Sequence, residues 1–253
     1  MQAFRQATRD GAVQLGTFIK TATHQIVEVL GVSGFNFAIV DCEHAPFDPS
    51  TLDAMALAGQ ATALPCLVRI PEVAGAPIGQ ALDMGFSGIV APHVKSPEIA
   101  AAVLDGAKYA RGARGFSPST RAGRYGAYGG TYRADADRAS SVWCQIEDKS
   151  ALAQLDAIAS IEDIDCLFLG RADLAQSLGV ERQDDPKVVD AVAATATAGR
   201  RHGRTIGIFI NDMSEVPALR ALGISVFVYG SDQSLIRVQG QRIRNELSTI
   251  CRP

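Results

Sequence analysis

Charged side chains stand directly behind an apolar, strand-like segment near the start of the chain. The stretch VDCEHAPFD, residues 40–48, places Asp41, Glu43 and His44 immediately after the apolar segment FNFAIV, residues 35–40. A carboxylate beside an imidazole can fix the ring tautomer and raise its basicity, so Asp41 and His44 form a candidate acid/base pair. The alternative is a satisfied polar cluster that closes the strand.

Two more carboxylates, Glu147 and Asp173, follow apolar segments in QIED and GRADLA. At the tips of adjacent parallel strands, their mutual repulsion is costly unless a cation bridges them. Oxygen ligands with open coordination positions suit Mg²⁺ or Mn²⁺. The alternative is that Glu147 begins a loop and that Asp173 caps the helix that follows.

Arg69 stands inside the otherwise apolar segment PCLVRIP. A buried guanidinium needs an anionic partner, because an unpaired buried charge is strongly disfavoured. That partner is either a substrate carboxylate or enolate, or a neighbouring acid in a structural salt bridge. The residues alone leave these two interpretations open.

The elements that must position these residues follow from the alternation of the sequence. Short apolar segments of β character alternate with amphipathic helical segments, which predicts a parallel sheet covered by helices. The predicted strands are residues 15–20, 37–42, 66–70, 88–94, 141–146, 166–170, 205–210 and 226–230. With 253 residues, these strands predict a single (β/α)₈ barrel domain over residues 1–253. The alternative, a doubly wound open sheet, usually carries a Gly-rich phosphate turn after its first strand, and TATHQ is no such turn.

A (β/α)₈ barrel places its active site at the C-terminal ends of the strands, where the charged residues above stand. The longest irregular segment, residues 110–133, separates the fourth and fifth predicted strands and is rich in Gly, Arg and Tyr. Loops of this length in compact domains are typically lids or contacts with partner subunits, and we expect one of these roles here.

The composition argues against several classes of protein. The formal net charge is −3, from 24 basic and 27 acidic residues, and the basic residues form no block, which argues against nucleic-acid binding. No apolar run approaches the ~18 residues of a membrane span, and the N-terminus lacks a signal-peptide core, so a cytoplasmic protein without a membrane partner is expected. Five cysteines without C-x-x-C spacing are expected to be buried thiols rather than disulfides or zinc ligands. The sequence motifs of zinc hydrolases, serine hydrolases and P-loop enzymes are missing.

Five segments, taken in chain order, resemble the successive motifs of the HpcH/HpaI aldolase family: FAIVDCEHAPFD, PCLVRIP, ALDMGFSGIVAPHV, CQIEDKSAL and LFLGRADLAQSLG. The resemblance spans nearly the whole chain. It implies a class II, metal-dependent pyruvate aldolase on a barrel of the phosphoenolpyruvate/pyruvate-binding superfamily type. Such an enzyme cleaves a 4-hydroxy-2-keto acid reversibly, through a metal-stabilised enolate, into an aldehyde and pyruvate or a close analogue such as hydroxypyruvate.

The resemblance also implies how the chain holds its metal and its keto acid. Glu147 and Asp173 are expected to bind a divalent metal ion, with Mg²⁺ or Mn²⁺ favoured and Co²⁺, Ni²⁺ or Zn²⁺ as alternatives. Backbone amides around Gly170 and Ala172 are expected to hold the substrate carboxylate, with Gln145 close by.

For the reaction itself, the resemblance implies that Arg69 neutralises the enolate and that His44, oriented by Asp41, acts as acid/base on the aldehyde-derived oxygen. Glu43 is expected in a supporting role, and Asp83 matches a position near the Asp41–His44 pair. Forming an enolate at neutral pH requires a Lewis acid and a positive charge at the developing oxyanion. This constellation has no lysine at a strand end, so a Schiff-base aldolase is disfavoured.

Departures from the family pattern concern the substrate rather than the reaction class. Arg171 stands where the family often has proline, and we expect it to face the aldehyde or a neighbouring subunit. YARGARG replaces the usual YPP-x-G-x-RG segment. Phe209 is expected to shape the aldehyde pocket, with simple core packing as the alternative. Relatives are typically hexamers, trimers of dimers with the last helix packed on a partner, and the same is expected here.

Two other functions compete with the aldolase. A citrate-lyase-type or malyl-CoA-type lyase shares the barrel and the metal, but such chains usually carry extra C-terminal segments that grip CoA. A non-catalytic barrel that binds a keto acid or a metal as a sensor or scaffold is the other. The intact set of Arg69, His44, Glu147 and Asp173 argues against decay of the site.

Overall fold

The sheet of the computed structural model, which describes residues 2–251, is a closed barrel. Every strand pairs in parallel with the next one along the chain, and the last strand pairs with the first. Within residues 2–251 the strands are β1 (Gln14–Ile19), β2 (Phe37–Asp41), β3 (Cys66–Arg69), β4 (Gly88–Ala91), β5 (Ser141–Ile146), β6 (Cys166–Leu169), β7 (Thr205–Ile210) and β8 (Val226–Ser231). The predicted (β/α)₈ barrel is confirmed.

Helices cover the outside of this barrel. They are α1 (Gln2–Arg9), α2 (His24–Val32), α3 (Pro49–Ala61), α4 (Gly75–Met84), α5 (Pro97–Ala107), α6 (Tyr132–Ala139), α7 (Lys149–Leu152), α8 (Leu155–Ala159), α9 (Arg171–Ser177), α10 (Pro186–His202), α11 (Val216–Ala221) and α12 (Asp232–Ile250). Short 3-10 turns occupy Tyr109–Arg111, Arg124–Gly126 and Met213–Glu215. The start of α3 shows the local cause of a boundary. Asp48 accepts hydrogen bonds from the N–H groups of Ser50 and Thr51, and proline stands at the first helical position.

Alternation along the strands sorts side chains into two apolar layers. Leu67 belongs to the cluster inside the barrel, and the next residue, Val68, belongs to the cluster between the sheet and the helices. Because successive side chains of a strand point to opposite faces, Arg69 points into the barrel again. The same alternation turns Lys20 and Gln145 inward. Polar groups at the carboxyl ends of the strands therefore converge at one open end of the barrel, which we call the mouth.

Helix α1 closes the opposite end of the barrel. The ring of Phe4 lies 5.7 Å from that of Phe37 and 6.3 Å from that of Trp143, all inside the barrel. A Cβ atom at Gly16 would lie 2.3 Å from the Phe37 ring, so glycine is required there by space. The amino end of the barrel is thus filled by aromatic side chains and leaves no room for a ligand.

The long segment 110–133 packs on the outside of the barrel. Nη2 of Arg114 lies 2.8 Å from Oδ1 of Asp83, and Arg121 pairs with Asp53 of α3. The Arg114 guanidinium also lies 4.2 Å from the centre of the Tyr109 ring. These contacts hold the segment against the outer helices rather than over the mouth of its own barrel. Contact with a partner subunit, the second predicted role, stays a prediction.

Two exclusions drawn from the sequence have structural counterparts. The cysteines are free thiols; Cys66, Cys144 and Cys166 are buried as expected, whereas Cys42 is half-buried and Cys251 is exposed. Burial raises the pKa of Cys66 and of Cys144 to about 12. Among residues 2–251, no helix is long and apolar enough to cross a membrane.

Asp165, at the amino end of β6, connects α1 to the sheet. Its carboxylate, 1% exposed, accepts hydrogen bonds from Nε of Arg5 at 2.9 and 3.0 Å and from the main-chain N–H of Val142 at 3.0 Å. Its main chain continues the ladder, because its N–H donates to Val142 and its carbonyl accepts from Thr205. Loss of this carboxylate removes the buried acid that contacts the Arg5 guanidinium and leaves it with Asp163, at 3.2 Å, whose side chain is 45% exposed.

We expect Asp165→Ala to lower the free energy of unfolding by about 3–5 kcal/mol, the cost of breaking a buried ion pair. Urea unfolding followed by circular dichroism measures this loss. Arg9 is the matched control: its side chain is 40% exposed and its Nε lies 3.7 Å from Asp165, so Arg9→Ala should cost less than about 1 kcal/mol. Equal losses in the two variants would contradict the assigned role of Asp165.

Candidate active site

The carboxylate of Asp41 organises the positively charged side of the mouth. Asp41 ends β2 and is fully buried. Its Oδ1 accepts hydrogen bonds from Nε of Arg69 at 2.8 Å and from the main-chain N–H of His44 at 3.2 Å. Nζ of Lys20 lies 3.1 Å from Oδ2, close enough for an ion pair but without the alignment of a hydrogen bond. Burial raises the pKa of Asp41, but contacts with Arg69 and Lys20 outweigh it and hold this pKa below its usual value.

Arg69 forms the structural salt bridge to neighbouring acids that was one of its two predicted roles. Its Nη2 lies 2.7 Å from Oδ1 of Asp41, and its Nη1 lies 3.1 Å from Oε2 of Glu43. The guanidinium also lies 4.7 Å from the centre of the Phe18 ring, a favourable position for a cation over an aromatic face. The structural salt bridge is therefore present, and it holds the guanidinium at the floor of the mouth.

The structure corrects the predicted acid/base pair of Asp41 and His44. Asp41 contacts the main chain of His44 and not its imidazole, because the carboxylate is occupied by Arg69 and Lys20. The His44 side chain is 54% exposed, and its Nε2 lies 3.7 Å from Oε2 of Glu43. Glu43, expected only in support, is thus the carboxylate beside this imidazole.

His93 joins the two sides of the mouth from the loop after β4. Its φ of +52° lies in the left-handed region that non-glycine residues rarely adopt. Its main-chain N–H donates to Oε1 of Glu147 at 2.8 Å, which favours this conformation. The ring lies 3.0 Å from Asp148 through Nδ1 and 3.5 Å from Glu43 through Nε2. Burial lowers the pKa of His93, but Asp148, Glu147 and Glu43 raise it by more, so this pKa lies above the usual value for histidine.

Glu147 is a buried carboxylate beside the imidazole of His93, whose Nδ1 lies 3.4 Å from Oε1 of Glu147. It is 2% exposed, and its Oε2 accepts a hydrogen bond from Nε2 of Gln145. Burial is the main cause that raises its pKa, to about 7. Asp173 and Glu43 raise it further, and contacts with His93 oppose the rise. Near neutral pH this carboxylate exists in both protonation states, and a bound cation would displace the proton.

Glu147 and Gln145 pack so closely against the main chain of Gly170 that only glycine fits there. A Cβ atom there would lie 2.6 Å from Oε2 of Glu147 and 2.8 Å from Nε2 of Gln145. The Oε1 atom of Gln145 is buried and has no hydrogen-bond partner. The Gly170 N–H already donates to Ile146, so this amide is not free to hold a substrate carboxylate as predicted. The Ala172 amide lies in the first turn of α9, where N–H groups have no acceptor within the helix.

The remaining predicted residues surround the α9 side of the mouth. Asp173 stands in the first turn of α9, partly buried, and near enough to Glu147 to raise its pKa. Arg171 is engaged within the chain, because its Nη1 lies 2.6 Å from Glu215 and its Nη2 donates to the carbonyl of Phe209 at 3.0 Å. Phe209 packs against Phe18, with ring centres 6.0 Å apart, as the core-packing alternative predicted.

Asp83 does not join the site within this chain. It lies in the last turn of α4, and the chain then turns at Gly85 and enters β4. Helices of the barrel run opposite to the strands, so this turn lies at the amino end of the sheet. The Asp83 carboxylate pairs there with Arg114 at 2.8 Å. The expectation that Asp83 lies near Asp41 and His44 is therefore wrong for a single chain.

The donors at the mouth fit a divalent cation. Glu43, His93 and Glu147 each offer a ligand atom, and these atoms lie within 4.8 Å of one another. The predicted pair, Glu147 and Asp173, shares Glu147 with this group. Carboxylate oxygens near a buried carboxylate of raised pKa favour a hard cation such as Mg²⁺ or Mn²⁺. These residues could therefore hold the metal ion, and Glu147 belongs to either arrangement.

Two residues at the mouth carry no role in the predictions above. His93 stands in the segment APHV, but nothing in the sequence indicates its positive φ or its bond to Glu147. Lys20 is the last residue of the first predicted strand, 15–20, so the sequence alone indicates that it lies at a strand end. The statement that no lysine stands at a strand end in this constellation is wrong.

Comparison with known proteins gives the chain a family. The family model of the HpcH/HpaI aldolase/citrate lyase matches residues 14–238. A 5-keto-4-deoxy-D-glucarate aldolase from Klebsiella pneumoniae is 32% identical over 244 residues, which cover 95% of this chain and 94% of that protein. The enzyme of the same name from Shigella boydii gives the same figures.

Solved structures agree with this result. An HpcH/HpaI aldolase/citrate lyase family protein from Burkholderia cenocepacia superimposes with a TM-score of 0.93 at 26% identity, covering 98% of this chain and all of that one. A citrate synthase superimposes with a TM-score of 0.86 at 26% identity, covering 98% of this chain and 97% of that one. The chain belongs to the HpcH/HpaI aldolase/citrate lyase family and is a carbon–carbon lyase.

Proposed function

We propose that the protein is a metal-dependent aldolase that cleaves a 4-hydroxy-2-keto acid reversibly into pyruvate and an aldehyde. The observation that carries the proposal is the buried Glu147 carboxylate, with Asp173 and Glu43 near it and the unpartnered Oε1 atom of Gln145 on the same strand. This arrangement suits a cation that a keto acid can also bind. Relatives named 5-keto-4-deoxy-D-glucarate aldolase support a sugar-acid substrate.

Glu147 and Asp173 would hold the metal, which acts when bound as a Lewis acid on the keto carbonyl. Gln145 and the Ala172 amide lie beside Glu147 and at the start of α9, where they can bind the substrate carboxylate. Arg69, fixed by Asp41 and Glu43, supplies positive charge for the enolate oxygen.

The reaction is redox-neutral and needs one base and one acid. His44, whose main chain is anchored by Asp41, accepts the proton of the 4-hydroxyl group. The bond between C3 and C4 then breaks, C4 becomes the aldehyde carbon, and the electron pair passes into the enolate of pyruvate. A proton added at C3 completes pyruvate, and the half-exposed imidazole can return it.

The reverse half of this reaction gives a direct test of the function. With Mn²⁺ present, the protein should exchange the C3 protons of pyruvate for deuterium in D₂O, because enolate formation requires loss of such a proton. Proton NMR follows the loss of the methyl signal, and EDTA should abolish the exchange. Tight pyruvate binding without exchange would overturn the aldolase and favour a keto-acid-binding barrel.

Manganese binding to variants distinguishes between the two possible sets of metal ligands, which are Glu147 with Asp173 and Glu147 with Glu43 and His93. If Glu147 and Asp173 hold the metal, Asp173→Asn should weaken Mn²⁺ binding at least about 10-fold, because it removes an anionic ligand. His93→Gln should then change binding less than about 3-fold. Electron paramagnetic resonance counts free Mn²⁺ directly and needs no turnover.

If His93→Gln weakens Mn²⁺ binding more than Asp173→Asn does, the metal ligands are instead Glu43, His93 and Glu147. Lys149→Met serves as the control, because Lys149 begins α7 close in sequence to Glu147 but belongs to neither ligand set. All variants should keep the circular dichroism spectrum and the unfolding midpoint of the metal-free wild type.

The last helix supports assembly into an oligomer, for which we propose the hexamer typical of the family. Every described residue from Arg237 onward is exposed on α12. Its apolar side chains recur at helical spacing and are 57–80% exposed: Ile236, Ile243, Leu247 and Ile250. An apolar stripe of this kind on an otherwise polar helix is typical of an interface, and a second copy of the chain is the proposed cover.

Replacing Ile243 and Leu247 together by glutamate should dissociate the assembly into smaller species, because charges would be buried at the interface. Analytical ultracentrifugation of 26.7-kDa chains measures the change. Gln241→Glu adds charge on another face of the same helix and should leave the mass unchanged. A double variant with the wild-type mass would show that this stripe is not the interface.

A further inference from the structure

Lys20 is a cation at the mouth that the proposed mechanism does not use. It follows the last residue of β1, and alternation along the strand turns its side chain into the barrel. Its Nζ lies 3.1 Å from Oδ2 of Asp41, and 31% of the side chain remains exposed. An ammonium group has three N–H donors, so one acceptor leaves capacity for a ligand.

The main chain that carries Lys20 is held by a buried carboxylate. Asp232, 1% exposed at the start of α12, accepts hydrogen bonds from the N–H groups of Lys20 at 2.9 Å and Thr21 at 3.1 Å. Two charge-assisted bonds to consecutive amides fix the direction in which the side chain leaves the strand. The ammonium group is thus positioned from both ends, by Asp232 at its main chain and by Asp41 at its tip.

Lys20 is the second cation of a group that contains two acids. Arg69 contacts Asp41 through Nε and Nη2, at 2.8 and 2.7 Å, and it also contacts Glu43 through Nη1 at 3.1 Å. The charges of this wall balance, so an anion that binds here needs a cation that it can reach directly. Because Lys20 is more exposed than Arg69, whose side chain is 7% exposed, an incoming anion meets the ammonium group more readily.

The position of Lys20 among the strands of the barrel indicates which part of a substrate it can contact. The barrel is closed by eight strands in sequence order, so β1 lies opposite β5. A keto acid held at Glu147 and Asp173 occupies the β5–β6 side. A substrate that extends across the mouth passes Arg69, which the proposed mechanism places at the enolate oxygen, and brings its far end, the aldehyde half, toward Lys20 beside β1.

We propose that Lys20 binds a terminal carboxylate on the aldehyde half of the substrate, so that the enzyme prefers six-carbon 2-keto-3-deoxy diacids to the corresponding monoacids. This inference rests on the proposed aldolase function. Lys20 is a specificity-determining residue here, and it forms no covalent bond with the substrate.

Two substrates that differ only at the far end test the inference. One is 5-keto-4-deoxy-D-glucarate. The other carries a primary alcohol in place of the carboxylate on the aldehyde half and keeps the carboxylate beside the keto group. For Lys20→Met, the ratio of kcat/KM for the diacid to that for the monoacid should fall about 10- to 100-fold, the range of a charge-assisted hydrogen bond. The loss should lie mainly in KM for the diacid, since the contact is present before and during the reaction. Lys20→Arg should restore much of the ratio.

Lys95→Met is the matched control for removal of a positive charge at the mouth. Lys95 is 48% exposed and pairs with Asp148 at 3.5 Å on the β4–β5 side, away from the aldehyde half, so the substrate ratio should not change. Equal losses for both substrates in Lys20→Met would overturn the inference, because they would indicate a role only in holding Asp41.

Two further outcomes are decisive. Sodium borohydride added with pyruvate should leave the mass of the protein unchanged. A reduced pyruvate adduct on Lys20 would replace the carboxylate contact by Schiff-base chemistry and overturn the inference. A wild-type enzyme that cleaves neither substrate overturns the proposed function together with the inference, whereas cleavage of both at a ratio unaffected by Lys20→Met overturns the inference alone.

Discussion

The closure of the parallel barrel is the constraint on which the rest of the structure depends. Inward side chains from all strands share one interior, and bulky groups such as Trp143 and Phe168 fill its lower layers. At the carboxyl ends, the last inward positions come within reach of water, so charged groups can stand there at an acceptable cost. Asp41 and Arg69 meet because they are paired at the ends of neighbouring strands, and Glu147 shares the same open end of the barrel because the sheet is closed.

The charges at the mouth divide into two unequal sides. On the side of β1–β3, Lys20 and Arg69 surround Asp41 and keep it ionised. On the side of β5–β6, Glu147 has acids for neighbours and a pKa near neutrality. The folded chain tolerates this imbalance because functional sites are commonly less stable than the scaffold that carries them.

The sequence predicted the architecture well and the side-chain pairing less well. Strands and helices depend on local alternation and caps, such as Asp48 before α3, and these are visible in the residues themselves. The partner of Asp41 depends on register, which sets it beside Arg69 in the neighbouring strand and not beside the ring of His44. Asp83 is a different case, because it precedes the strand predicted over residues 88–94, and its place at the amino end of the barrel therefore follows from the sequence.

Asp232 links two parts of the molecule that would otherwise be independent. Its carboxylate belongs to the helix with the exposed apolar stripe, yet it bonds to the amides at the end of β1. A shift of that helix would withdraw the acceptor from both amides and release the strand end that borders the mouth. With the oligomer and the role of Lys20 proposed above, quaternary packing and substrate selectivity would be coupled through Asp232.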